Sequence, residues 1–219
     1  MATNLVISLD VEKDLHQDSF LSVTEGLKKF EKICPSHVKP ILFVTGEVIE
    51  KYPDLFLYYH KKGWEISSHG YSHNRFDAMN VQEKEEEIKK IVSLFKKHLG
   101  IIPQGFRAPQ HSIDDSTLDL LEQYGFRYDS SYTPLNLLQL FFFHHQWKLW
   151  LKTFFSPLNP YFIREKLLEV PVSSFLLPFV SLTVRVLPRP LLWIYIKTLK
   201  LFYKKIVFYA HSWDFITLK

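Results

Sequence analysis

The chain has 219 residues, is 47% hydrophobic and carries a formal net charge of +4. It can bury a sizeable core in one domain, or in one domain with an elaborated half, and its modest charge and lack of a recognisable motif argue against a nucleic-acid partner. Cys34 is the only cysteine, so an internal disulfide framework and a Cys-rich zinc module are both excluded. A reducing compartment is expected. The N-terminus, MATNLVISLD, runs straight into a strand-like segment with no basic, apolar and small-residue succession of an export signal, so the expected location is cytoplasmic.

In chain order, Asn4 to Leu9 is a short apolar run that predicts a strand, and Ser19 to Cys34 has Phe20, Val23, Leu27, Phe30 and Ile33 at helical spacing. Val38 to Val44 predicts the next strand, ended by Thr45-Gly46. Glu47 to Lys62 predicts a helix with a break or restart at Pro53. Trp64 to Ser67 predicts a third strand. Val81 to Leu99 predicts a charged amphipathic helix with Ile88, Ile91, Val92, Phe95 and Leu99 inward and Gly100 just past its end. Gly105 to Ala108, a helix over Asp114 to Tyr124, Phe126 to Tyr128 and finally Lys205 to Ala210 continue the alternation. Such β-α repetition predicts a mostly parallel sheet covered by helices, with chemistry at the C-terminal strand ends.

Polar residues fall where that rule puts them. Asp10 and Glu12 follow the first strand, His69 and His73 the third, Arg107 the fourth, Asp129 the fifth and His211 the last. His69 and His73, in SHGYSH, are four residues apart and can converge in one helical turn or a tight loop. Alone, the pair reads either as metal ligands or as two solvated imidazoles. With seven groups on one predicted rim, a shared site becomes the better reading.

The stretches SLDVEKD, ILFVTGEVIEKYPDLF, GWEISSHGYSHNRF, FRAPQHSID, YGFRYDSSY, EVPVS and FYAHSWDF resemble, in order and spacing, the polysaccharide deacetylases with a NodB homology domain, carbohydrate esterase family 4. The resemblance runs from Leu5 to about Phe215, interrupted between about Pro134 and Leu168. It implies a distorted (β/α)7 barrel in a single deacetylase-like domain over residues 1–219, with an aromatic and basic insertion at about 134–167. The implied activity is metal-dependent removal of an N-acetyl or similar acyl group from a carbohydrate, with lipid-linked or surface-polysaccharide precursors among the candidate substrates. A non-catalytic glycan-binding descendant, and an amidohydrolase or deformylase of another small amide, are the alternatives.

The resemblance also implies roles. Glu12, His69 and His73 would hold a divalent metal, zinc first, although cobalt, nickel or iron also suit two imidazoles and a carboxylate. Asp10 would be the general base, His211 the general acid, Arg107 the partner of Asp10, and Asp129 the group that orients His211. Many relatives carry adjacent aspartates in the first motif, whereas this chain reads Asp10-Val11-Glu12; Asp14 is the alternative third ligand. His111 is a second departure, either a substrate contact or a structural or solvated loop residue.

The segment Pro134 to Lys205 holds ten Lys and Arg against two Asp and Glu, with Phe141, Phe142, Phe143, Trp147, Trp150, Phe154 and Phe155 close together. Its uncharged apolar stretches are broken by Pro171 and Pro178 and fall short of a membrane span. Two readings stand: peripheral membrane contact or a greasy groove over the site, and ordinary core with the later helices.

Overall fold

The computed structural model describes residues 4–15, 17–139 and 147–217. Its frame is an eight-stranded sheet. In chain order the strands are β1 (Asn4–Val11), β2 (Ile41–Val44), β3 (Glu65–Ser68), β4 (Gly105–Phe106), β5 (Tyr128–Asp129), β6 (Tyr161–Phe162), β7 (Leu168–Glu169) and, last in the chain, β10 (Lys205–His211); β8 (Ser174–Phe175) and β9 (Leu177–Pro178) form a separate antiparallel pair. The sheet order is β10-β1-β2-β3-β4-β5-β7-β6, parallel throughout except for the edge strand β6. Seven parallel strands curl into a half-barrel, the α/β architecture expected from the sequence.

The helices of the first half are α1 (Leu27–Ile33), α2 (Gly46–Lys51), α3 (Pro53–Lys61), α4 (Val81–Leu99) and α5 (Asp115–Gln123). The predicted helix over Ser19 to Cys34 divides into a π turn at Ser22–Gly26 and α1. Gly26 sits against the Ser212 carbonyl, where a Cβ would come within 2.4 Å of the oxygen. Proline-53 divides the next helix as expected, with Tyr52 non-helical between α2 and α3. Helix α4 starts on a capping box between Asn80 and Glu83 and ends on left-handed Gly100.

Alternation along the strands sorts residues to the two faces of the sheet. Leu9, Val11, Leu42, Val44 and Ile66 point outward into one cluster with Leu27, Phe30, Phe56 and Phe95 of the helices. The inward set is different. Ser8, Asp10, Phe43 and Ser67 share the concave face, and there Tyr128 closes the interior by donating to Glu65 at 2.6 Å and meeting Ser67 Oγ at 3.2 Å. Phe43 packs edge-on to Tyr128. Gly105 gives that ring room, since a Cβ there would lie 2.1 Å from it.

The later region is built from shorter pieces. Helix α6 is Trp147–Phe154, α7 is Ser181–Val186 and α8 is Arg189–Phe202. Phe179, Tyr195, Leu199, Tyr203 and Ile206 form their own buried cluster. Phe141, Phe142 and Phe143, named with the aromatic segment, lie outside the described residues. Among the described residues, no helix is long and apolar enough to cross a membrane.

Candidate metal and acid–base site

The end of β1 puts Asp10 and Glu12 two residues apart on the concave side, both buried. Asp10 is in register with Phe43 on one neighbour and His211 on the other. His69 follows β3 directly and its backbone N–H bonds Val44 O at 2.9 Å. His73 lies in a loop rather than a helical turn, reached through left-handed Gly70 and itself at φ 58°. That backbone is unfavourable for a histidine and needs support. Glu87 of α4 supplies it, accepting from Tyr71 N at 3.0 Å, Ser72 N at 3.2 Å and Ser72 Oγ at 2.6 Å.

Glu12, His69 and His73 converge, with one ligand atom from each lying within 4.8 Å of the others. His73 Nε2 contacts the Glu12 carboxylate directly. His69 Nδ1 lies 2.8 Å from the Arg107 carbonyl, which only accepts, so the proton sits on Nδ1 and the Nε2 lone pair faces the cluster. Burial pushes the His69 pKa down, which favours the neutral imidazole. One carboxylate and two imidazole nitrogens form a donor set that fits a divalent ion such as zinc. Asp14 is taken up elsewhere: it accepts from Ser19 Oγ, from Leu21 N at 2.8 Å and from Ser22 N at 2.9 Å, tying down the chain before α1.

Beside this cluster Asp10 Oδ2 lies 4.0 Å from His69 Nε2, and Asp10 Oδ1 accepts from Arg107 Nη1 at 2.6 Å. Burial alone would raise the Asp10 pKa, but the guanidinium, aided by nearby imidazoles, holds it at about 2. Arg107 is fully buried and held on every side. It donates to Ser130 O at 3.0 Å, Ser130 Oγ at 3.0 Å and Ser8 Oγ at 3.1 Å, and its guanidinium lies 4.1 Å from the centre of the Phe43 ring.

His211 stands across the rim at the end of β10, stacked on Trp213 at 4.3 Å. The carboxylate nearest its Nδ1 is Asp214, at 3.9 Å, and Asp214 also accepts the His211 backbone N–H at 2.8 Å. Asp129, expected to orient His211, is engaged elsewhere. It accepts from Ser131 Oγ at 2.7 Å and Ser131 N at 3.1 Å and faces Glu169, its register partner on β7. Both carboxyls are buried side by side, and burial pushes both pKa values up, Glu169 the more because the Asp129 charge faces it.

The Asp129 loop serves the site through its serines. Ser130 holds Arg107, while Ser131 Oγ accepts from Ala108 N at 2.8 Å and Ser131 O accepts from His111 Nδ1 at 2.8 Å. His111 is thus an ordered inner group, its pKa pushed down to about 4 by burial and Arg107. Its Nε2 keeps a free lone pair. His111 and Tyr209 line a cavity of about 450 Å³ with Thr133, Gln139, Pro178 and Val180. Gln139 Oε1 is buried on that wall with no hydrogen-bond partner among the described residues, an acceptor suited to a hydroxyl or amide donor.

The sequence reading missed Glu87, Ser130, Ser131, Glu169 and Asp214. Glu169 was findable, as an acid at the end of a strand inside the quoted EVPVS, and Asp214 stands three residues beyond His211. Glu87 was not, being one of several acids on a charged helix.

Fold and rim together define an α/β half-barrel whose parallel strands carry a two-histidine, one-carboxylate cluster at their C-terminal ends. The resemblance to polysaccharide deacetylases holds: residues 35–128 match that family's model. That stretch includes His69, His73 and Arg107, but neither Asp10 and Glu12 before it nor His211 after it. The chain is 36% identical over 89 residues to the peptidoglycan deacetylase-like protein FGM2 of Gibberella zeae, covering 41% of this chain and 26% of that protein. It is 34% identical over 105 residues to the peptidoglycan deacetylase of Helicobacter pylori, covering 48% of this chain and 35% of that enzyme. The matched stretch thus spans about a quarter to a third of the length of these relatives. Among solved structures, Puue allantoinase superposes with a TM-score of 0.68 at 13% identity, over 96% of this chain and 78% of that one, a likeness of fold.

Proposed function

We propose that the protein is a metal-dependent hydrolase that removes an N-acetyl group from a carbohydrate. The observation that carries this reading is the convergence of Glu12, His69 and His73 beside the Asp10–Arg107 pair, with His211 across the rim. The polysaccharide deacetylase match and the peptidoglycan deacetylases among the relatives support the substrate class.

An acetamide resists water, so hydrolysis needs an activated nucleophile, a stabilised developing oxyanion and a protonated leaving amine. A divalent ion, zinc as the first choice, would be held by Glu12, His69 and His73 and would supply Lewis acidity and a water of lowered pKa. Asp10, ionised at neutral pH, takes the proton of the attacking water. Arg107 aims that carboxylate, and the backbone carbonyl of Arg107 fixes the tautomer of His69. His211 gives a proton to the departing nitrogen, with Asp214 rather than Asp129 beside its ring. Gln139 Oε1 and the free His111 Nε2 offer acceptors for sugar hydroxyls in the adjoining cavity.

The test is metal analysis of the purified protein together with acetate release from N-acetylglucosamine oligomers. His69→Ala, His73→Ala and Glu12→Ala should each lose both metal and turnover, and Asp14→Ala should keep the metal. Stoichiometric metal and activity in any of the three ligand variants would falsify the assignment. Formate release, or hydrolysis of a cyclic amide with no acetate released, would move the substrate while keeping the site.

A further inference from the structure

Helix α8 buries one side through Tyr195 and Leu199, four residues apart. Its opposite side is not the mixed polar surface a solvent-facing helix ordinarily shows. Trp193, Ile194 and Leu201 are exposed there, Trp193 by 60% and Leu201 by 82%. Between them stand Lys197, whose ammonium lies 3.4 Å from the Trp193 ring centre, and Lys200. Trp193, Lys197 and Lys200 follow one helical stripe and Ile194 and Leu201 the next. Among the described residues nothing covers these side chains.

Charge identifies what would cover them. From Val170 to Trp213 the sequence contains six Lys and Arg and no Asp or Glu. A second copy of the chain in a two-fold contact would set cations against the same cations, which disfavours that occupant. An anionic bilayer satisfies both features at once: lysines meet headgroup phosphates while leucine and tryptophan enter the acyl boundary. We infer that α8, with the adjoining end of α7, docks on the surface of an anionic lipid bilayer.

The segment leading into α8 extends the same character. Leu182, Val184 and Val186 are exposed on α7 beside Arg185, and Leu182 with Val180 also lines the cavity of His111 and Tyr209. The docking surface is therefore continuous along the chain with one wall of the candidate site. Docking so placed presents that wall to an amphiphilic acylated sugar carried at the membrane, a consequence that rests on the function proposed above; docking itself does not.

Flotation of the full chain with vesicles tests it, using phosphatidylcholine alone and phosphatidylcholine mixed with phosphatidylglycerol, at about 0.05 M and about 0.5 M salt. The protein should float with the anionic vesicles at low salt and separate from them at high salt. Lys197→Glu with Lys200→Glu should weaken binding about tenfold or more, and so should Trp193→Ser with Leu201→Ser. Melting temperature and metal content, measured on the same variants, should stay at the wild-type values, so a failed docking surface is read apart from a failed metal site. Absence from every vesicle fraction overturns the inference. So does undiminished binding after charge reversal, or a dimer in light scattering that Leu201→Ser dissociates.

Discussion

The first and the later part of the chain are built on different plans, the first supplying the middle of the sheet and the later part both of its edges. From β1 to β5 the strands pair in register over apolar outward faces, the long helix α4 is capped at both ends, and surface charges of both signs form ion pairs such as Lys89–Glu85. Beyond residue 134 the strands before β10 are two residues long, the helices leave leucine, valine and tryptophan exposed, and acids vanish after Glu169 until Asp214. The first plan spends its buried polar groups on fixing a site, as Arg107 shows. The second leaves its apolar groups outside. Burial is where sequence change is expensive, so the two regions should answer substitution in opposite ways.

The sharpest contrast comes from Asp10→Asn. An amide cannot take a proton at neutral pH, so kcat should fall about 10²- to 10⁴-fold while metal content is unchanged. Acetate release within a few-fold of wild type would remove Asp10 from the base role. Arg107→Ala comes next: it strands the buried Asp10 charge and should cost about 3–5 kcal/mol in denaturant unfolding. A cost under about 1 kcal/mol would mean that the pair is solvated.

A smaller effect is expected at Glu169, and its sign follows from the raised pKa. A group whose folded pKa is raised contributes stability that is present below its unfolded pKa and is lost as pH rises through the folded value. Thermal melts from about pH 5 to about pH 9 should therefore show stability falling on the alkaline side. Glu169→Gln, which cannot ionise, should flatten that fall; parallel curves would dismiss the raised Glu169 pKa. Smallest of all is Leu201→Ser. The side chain is 82% exposed, and folding stability should move by no more than about 0.5 kcal/mol in the absence of lipid. A loss of several kcal/mol would place α8 in the same class as the site.

The same contrast explains what could be read from the sequence. Strands β1, β2 and β3 carry enough apolar residues to be recognised, and the histidines follow β3 at once, so Glu12, His69 and His73 could be collected onto one rim. Strand β4 was expected to reach Ala108 and ends at Phe106, because Arg107 turns inward to its serine partners. Two-residue strands have no period of their own; β4 and β5 were found through the β-α alternation around them, whereas β6 to β9 stand outside that alternation and were missed. The partner of Asp129 is set by parallel register with β7, a pairing across forty residues that local pattern does not encode. Asp214 took the place given to Asp129 beside His211 because a short helical turn, Ser212–Phe215, folds it back.

The Tyr128 ring, wedged against Gly105 and tied to Glu65 and Ser67, stoppers the half-barrel below the site. With that end closed, the open approach to Glu12, His69 and His73 is over the rim, so under the function proposed above a substrate would arrive and both products would leave by the same mouth. Residues that narrow this mouth therefore govern arrival and departure together. A substitution that widens the gap at Leu182 or Pro178 would speed exchange in both directions, while the chemistry at Asp10 ran at an unchanged pace.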